Sequence, residues 1–154
     1  FSFDTHFKPA SNIDKFRCGT PGVLSYIALE SSLDIFEMVD MEAIRTKSKR
    51  LTTLFVDLVE SLCENYPLQL ASPRDSSQRG SQVSFSHAEG WPIMQALIAH
   101  GVIGDFRAPD LLRFGFAPLY TRYEDVWLAA SMLAHILESE CWKDPAYTTP
   151  KLVT

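Results

Sequence analysis

In the heptapeptide DLLRFGF, Asp110 to Phe116, apolar residues surround a single arginine in what reads as a short buried strand. With side chains alternating at a period of two, Leu112, Phe114 and Phe116 share one face while Leu111, Arg113 and Gly115 share the other. Stripping water from a guanidinium costs several kcal/mol, roughly, unless an anion and hydrogen bonds replace it. Gly115 leaves open space beside that guanidinium. Two readings of Arg113 follow. It is an edge-strand arginine that reaches solvent or pairs with Asp105 or Asp110, or it is a fork that takes a ligand carboxylate through two parallel N–H donors.

The rest of the chain supplies helices and short strands to surround this segment. Residues 1–22 read as an irregular lead-in with Pro9, Gly19, Pro21 and Gly22 as breakers. A first helix is expected over Val23 to Val39, burying Leu24, Ile27, Ala28, Ile35 and Phe36. Asp40 is a good N-cap for a second, longer helix in which Ile44, Leu51, Phe55, Leu58 and Leu62 recur at threes and fours, ended by Tyr66-Pro67. LQLAS reads as a strand, PRDSSQRG as an exposed loop, and SQVSFSH as a strand with Val83 and Phe85 turned inward. A helix from about Glu89 to His100, stopped by Gly101, precedes two more strands, VIGDF and LLRFGF. The last helix opens on a capping-box pattern at Thr121 to Glu124, runs to about Glu140 and buries Val126, Ala130, Leu133 and Leu137. The Pro- and Thr-rich tail, 143–154, reads as loose. This order implies an α+β fold, a small antiparallel or mixed sheet with helices on one side.

Composition excludes several classes of function. A chain of 154 residues, 46% hydrophobic and 21% charged, is large enough for about one domain with a real core. A net charge of −5 argues against a nucleic-acid surface, and the one basic run, Arg45 to Arg50, reads as a solvated helix face. No apolar stretch approaches the roughly 18 to 20 residues that a membrane span needs. With no positive-then-apolar leader, the chain reads as cytoplasmic. Cys18, Cys63 and Cys141 are widely spaced and are read as free thiols. The chain opens on Phe1 without periodicity, as a piece of a longer protein would.

Other chemistry-bearing residues are scattered. His6, His87, His100 and His135 have neither metal-ligand spacing nor a fixed acidic partner, so no metal site and no catalytic histidine are assigned. No serine lies in a G-x-S-x-G turn. CGTPG, just before the first helix, offers backbone N–H groups and a hydroxyl that could cradle an anion, though a Gly-Pro turn entering a helix needs no ligand.

Four stretches, FRCGTPGVLSYIALESSLDIF, RTKSKRLTTLF, RGSQVSFSH and ALIAHGVIGDFRAPDLLRFGFAPLYTRYEDVW, together resemble the C-terminal part of the kynureninase family. The resemblance runs through nearly the whole chain in order, and 101–127 is its most specific part. It implies the small C-terminal domain (23–142) of a fold-type I pyridoxal-phosphate enzyme, with 1–22 continuing from a large cofactor-binding domain. It further implies hydrolysis of L-kynurenine or 3-hydroxykynurenine to an anthranilate and L-alanine, in a homodimer whose partner is a small-molecule amino-acid substrate.

Residue by residue, the resemblance puts the substrate α-carboxylate on Arg113 and the cofactor phosphate on Thr20. Gly22 departs from the proline often found near that position, which leaves the turn's geometry open. The family's cofactor-bearing lysine and the aspartate on the pyridinium nitrogen would lie upstream. None of the six lysines, Lys8, Lys15, Lys47, Lys49, Lys143 and Lys151, has the required context, so no catalytic residue is assigned and the chain alone is expected to be inactive. The small domain of another pyridoxal-phosphate lyase, a desulfurase with a reactive loop cysteine, and a non-catalytic binding module are the alternatives.

Overall fold

The computed structural model describes residues 5–17, 19–20 and 22–149. The chain forms two compact units, Phe1–Asp40 and Met41–Thr154, so the first helix falls with the lead-in segment.

In the first unit a 3-10 turn, Ile13–Phe16, is capped by Asn12, whose side chain accepts from the Asp14 N–H at 2.9 Å. Helix α1 spans Val23–Glu37, with Gly22 at its N-cap supplying no side-chain acceptor. The start was legible; the inward face was not. No residue of α1 is buried, and Leu24 and Phe36, expected inside, are 83% and 40% exposed. Val23, Tyr26, Ile27, Leu29, Leu33 and Ile35 spread the apolar surface around most of the helix, so the sequence defines no single stripe.

The second unit carries the core. Helix α2, Met41–Leu62, buries Ser48, Leu51, Thr52, Phe55, Val56 and Val59. The expected stripe is thus correct at Leu51 and Phe55 but runs on through Val59, leaving Leu58 half-buried and Leu62 exposed. The two polar residues on this face are satisfied: the Ser48 and Ser81 hydroxyls lie 2.7 Å apart, and the Thr52 hydroxyl donates to the Ser48 carbonyl at 3.0 Å. Between Ser48 and Val59 the chain can therefore stay inward-facing without an orphaned polar group.

The strands are β1, Gln69–Leu70; β2, Gln82–Ser86; β3, Asp105–Arg107; and β4, Leu111–Gly115. They form one antiparallel sheet in the order β1-β2-β4-β3. The fold is therefore α+β with a small antiparallel sheet, as expected. Because β3 folds back outside β4, Arg113 lies on an inner strand and not at an edge. Helices α3, Gly90–Ala99, and α4, Tyr123–Ser139, complete the unit; α2 packs on α4 and β2, and α3 packs on α4, β3 and β4. Val83, Phe85, Leu112 and Phe114 point from the sheet into this helical layer and are buried. The Phe55 ring sits among them, its centroid 4.8 Å from Phe114, 4.9 Å from Phe116 and 6.2 Å from Phe85.

Turns set the remaining boundaries. Gly101, with φ of 87°, follows α3 in a backbone conformation that side chains resist, as its C-terminal position predicts. Helix α4 is capped one residue later than the Thr121 pattern suggests: Asp125 accepts from the Arg122 N–H at 2.7 Å and pairs with its guanidinium. Asp125, at the third helical position, does the work expected of Glu124, and Arg122 takes the N-cap place expected of Thr121. After α4, Cys141–Lys143 forms a 3-10 turn and Pro145–Thr148 a short helix α5, capped by Asp144 accepting from Ala146 N–H at 2.8 Å, where the sequence reads as loose. Trp142 and Tyr147 pack against the core, which holds this segment down.

Candidate functional site

Strand pairing builds the candidate site by register alone. Ser84 of β2 and Asp105 of β3 both stand opposite Arg113, so the three form a row across the sheet on the face turned away from the helices. Arg113 Nη2 donates to Asp105 Oδ2, and the same oxygen lies 3.2 Å from Arg107 Nε. Asp110, the other expected partner, contributes its backbone instead: its carbonyl accepts from the His87 N–H at 3.0 Å. The pairing half of the solvated-arginine reading is therefore present, with Asp105 as the partner.

That pair does not use up the arginine. Its side chain is 31% exposed, and Nε is buried without a hydrogen-bond partner. The guanidinium borders an open cleft of about 260 Å³ lined by Gln82, Ile103, Gly104, Asp105, Arg113 and Gly115. A Cβ placed on Gly115 would meet nothing within 4 Å, so the space inferred beside Arg113 is there. Gly104 serves the opposite purpose: a Cβ there would lie 2.9 Å from the Arg113 carbonyl and 2.8 Å from Met94 Sδ, so only glycine lets the chain pass this close to β4.

Gln82 stands opposite Gly115, its amide donating to Ser84 Oγ at 3.1 Å and so held beside the cleft. The arrangement suits a planar anion: donors in a rigid fork, a neutral amide nearby and little bulk in front. A second cavity of about 420 Å³ lies beyond Gly115 and Ile103, lined mainly by Val102, Phe114, Phe116, Leu128 and Met132.

Thr20 is exposed and lies in the turn leading into α1, in the first unit, whereas Arg113 belongs to the second. Cys18 and Pro21 of the same turn lie outside the described residues.

The other polar residues have structural occupations. His87 is buried, its Nδ1 accepting from the Glu89 N–H at 2.9 Å, and burial holds its pKa below the ordinary histidine value. Cys63 lies in the core, where burial pushes its thiol up to about 11, and Cys141 is half-buried at the start of its 3-10 turn. Cys63 therefore has neither the low pKa nor the exposure of a reactive thiol. Among the described residues, no group of three or more His, Cys, Asp or Glu side chains could hold a metal, and no helix is long and apolar enough to cross a membrane.

The basic run is not simply a solvated face. Arg45 Nη2 donates to the carbonyls of Ser76 and Arg79 at 2.9 and 3.0 Å, and Lys47 Nζ donates to the Pro118 carbonyl at 2.6 Å. Arg79, inside the segment read as an exposed loop, is buried and donates to the Pro73 carbonyl at 2.7 Å and to Thr53 Oγ1 at 3.1 Å. These cations fasten the 73–80 loop and the 117–120 turn to α2. Sequence carries no signal for it, because all but one of these acceptors, Thr53 Oγ1, are backbone carbonyls.

Fold and cleft together define a small α+β domain that presents an arginine to an open cleft of about 260 Å³. Residues 44–133 match the kynureninase C-terminal domain family, and the chain belongs to that family. Over all 154 residues it is 51% identical to a kynureninase of Burkholderia mallei (strain SAVP1) and 51% identical to one of Burkholderia pseudomallei (strain K96243). It is 42% identical over the same length to a kynureninase of Pseudomonas fluorescens. The chain spans 37% of the length of each of these relatives.

Proposed function

We propose that this chain is the C-terminal, substrate-orienting part of a pyridoxal-phosphate-dependent kynureninase that hydrolyses L-kynurenine or 3-hydroxykynurenine to an anthranilate and L-alanine. The observation that carries the reading is Arg113 on an inner strand, facing a cleft kept open by Gly115, in a chain of this family.

The residues fit one part of such a site. Arg113 has donors for an α-carboxylate, and the exposed Thr20 hydroxyl is available to a phosphate. Lys47 is engaged with the Pro118 carbonyl and Lys143 pairs with Glu140, so neither is poised to carry a cofactor. We assign the cofactor-bearing lysine to the remainder of the protein and expect this chain alone to be inactive.

Bound pyridoxal phosphate would supply the electron sink for breaking bonds at the substrate's α- and β-carbons. The work of Arg113 is orientation. Two parallel N–H bonds to the carboxylate fix rotation about the Cα–carboxyl axis, and so determine which substituent of Cα stands ready to leave. Ile103, Gly104 and Gly115 leave room for the ligand without offering a competing anion. The same reading carries a homodimer in the cytoplasm, with Thr20 acting on cofactor retention.

The test is direct. A full-length protein carrying this chain, supplied with pyridoxal phosphate, should release anthranilate and alanine in equal amounts from L-kynurenine. Sulfur release from cysteine without kynurenine cleavage would overturn the assignment. In the same protein Thr20→Val should weaken cofactor binding by about ten- to a hundredfold, since a hydroxyl bond to a charged phosphate is worth roughly 1.5 to 3 kcal/mol. Unchanged cofactor affinity on titration would reduce the turn to a helix lead-in.

A further inference from the structure

Asp105 has no assigned part in the chemistry, yet its surroundings are unusual. Its carboxylate is shared between two guanidiniums, Arg113 Nη2 and Arg107 Nε, through a single oxygen, Oδ2. Two cations and one anion leave this cluster with one net positive charge. Its backbone is fixed by the sheet, since Asp105 pairs directly with Arg113 and Arg107 with Leu111. The cleft itself is lined by no other acidic residue.

An arginine on a strand can swing its guanidinium through several rotamers, and each one lost on ligand binding weakens affinity. A carboxylate anchored to the neighbouring strand removes that freedom beforehand. It engages the guanidinium at Nη2, and the buried Nε has no hydrogen-bond partner. Arg107 Nε lies 3.2 Å from the same oxygen, so Asp105 divides that oxygen between two cations.

We propose that Asp105 is a positioning residue: held by Arg107, it fixes the Arg113 guanidinium at the cleft so that the cluster's single unbalanced positive charge receives one ligand carboxylate. The inference rests on the reading of Arg113 as the carboxylate ligand. It extends the substrate-orienting device to a three-residue relay, Arg107 to Asp105 to Arg113. It also sets the ligand class: one carboxylate neutralises the cluster, whereas a dianion overcharges it.

The experiment uses the full-length, pyridoxal-phosphate-loaded protein with L-kynurenine. Asp105→Ala should raise KM about tenfold with a smaller fall in kcat. Asp105→Asn, which keeps an oxygen acceptor for Nη2, should recover part of that loss and also serves if the alanine variant folds poorly. Adding Asp105→Ala to Arg113→Lys should raise KM no further, because the residue acts through the guanidinium. An unchanged KM in both Asp105 variants, beside a raised KM in Arg113→Lys, would sink the positioning role and leave the role of Arg113 standing. A lowered KM in Asp105→Ala would make Asp105 a competitor and overturn the proposal. If Arg113→Lys itself leaves KM unchanged, the underlying reading fails and the relay fails with it.

Discussion

In the full-length protein, Arg113→Lys should cost about 2 kcal/mol or more in kcat/KM, roughly a thirtyfold loss, with little change in melting temperature. Lysine keeps the charge and the reach toward Asp105 but loses the rigid pair of N–H donors that matches a carboxylate. The substrate would be held by a point charge about which it can pivot. KM should therefore rise most, and kcat should fall through misorientation, while cofactor absorbance stays intact.

The competing account makes Arg113 only half of a structural ion pair. Its partner Asp105 is 47% exposed, and pairs this open to solvent contribute at most about 1 kcal/mol. A structural role thus predicts a modest drop in melting temperature with near-normal kinetics. Measuring both quantities on one variant separates the accounts, since the affected observable differs. Near-normal kcat/KM with lowered melting would mean that Arg113 has no ligand.

How far the sequence could be read depended on the range of the interaction that fixed each feature. The two faces of Leu111 to Phe116 follow from strand alternation alone, and both were legible, as was the open space at Gly115. Which strand neighbours β4 depends on a chain reversal through 108–110 and on β2 arriving from 82–86, so its inner position was not legible. The same holds for the choice of Asp105 over Asp110. Asp105 wins because register sets it opposite Arg113, whereas Asp110, three residues away along the chain, turns its carbonyl to His87.

Helix boundaries were read well where a local breaker exists, as at the start at Val23 and the stop at Gly101, and less well at α4, where Asp125 reaches back to Arg122. The clamps of Arg45, Lys47 and Arg79 escaped because charged residues on a helix face or in a polar loop look solvated until their acceptors are known. Thr20 and Arg113 could be singled out as a pair only through family resemblance. One lies in a Gly-Pro turn and the other in a strand, and no spacing rule joins them.

The phase of α2 gives the other large effect. Phe55→Ala should lower the unfolding free energy of the chain by about 3 to 5 kcal/mol, read from the urea midpoint. Phe55 is fully buried, and its ring meets Phe85 on β2, Phe114 on β4 and Phe116 beyond it. Phe85 and Phe114 belong to two paired strands, so the sheet cannot close over the void without moving β2 and β4 together, and most of the cavity persists. Phe55→Leu, which refills much of the volume, should cost less.

The discriminating control is Leu62→Ala. The expected stripe of Leu51, Phe55, Leu58 and Leu62 makes this substitution a core cavity of comparable cost. The observed stripe passes through Val59 and leaves Leu62 43% exposed, so the loss should stay within about 1 kcal/mol. A Leu62 variant that unfolds as readily as the Phe55 variant would mean that α2 is rotated about its axis. Phe55 would then not lie beneath Phe114, and β4, with Arg113 on its outer face, would lose the support that holds the cleft in shape.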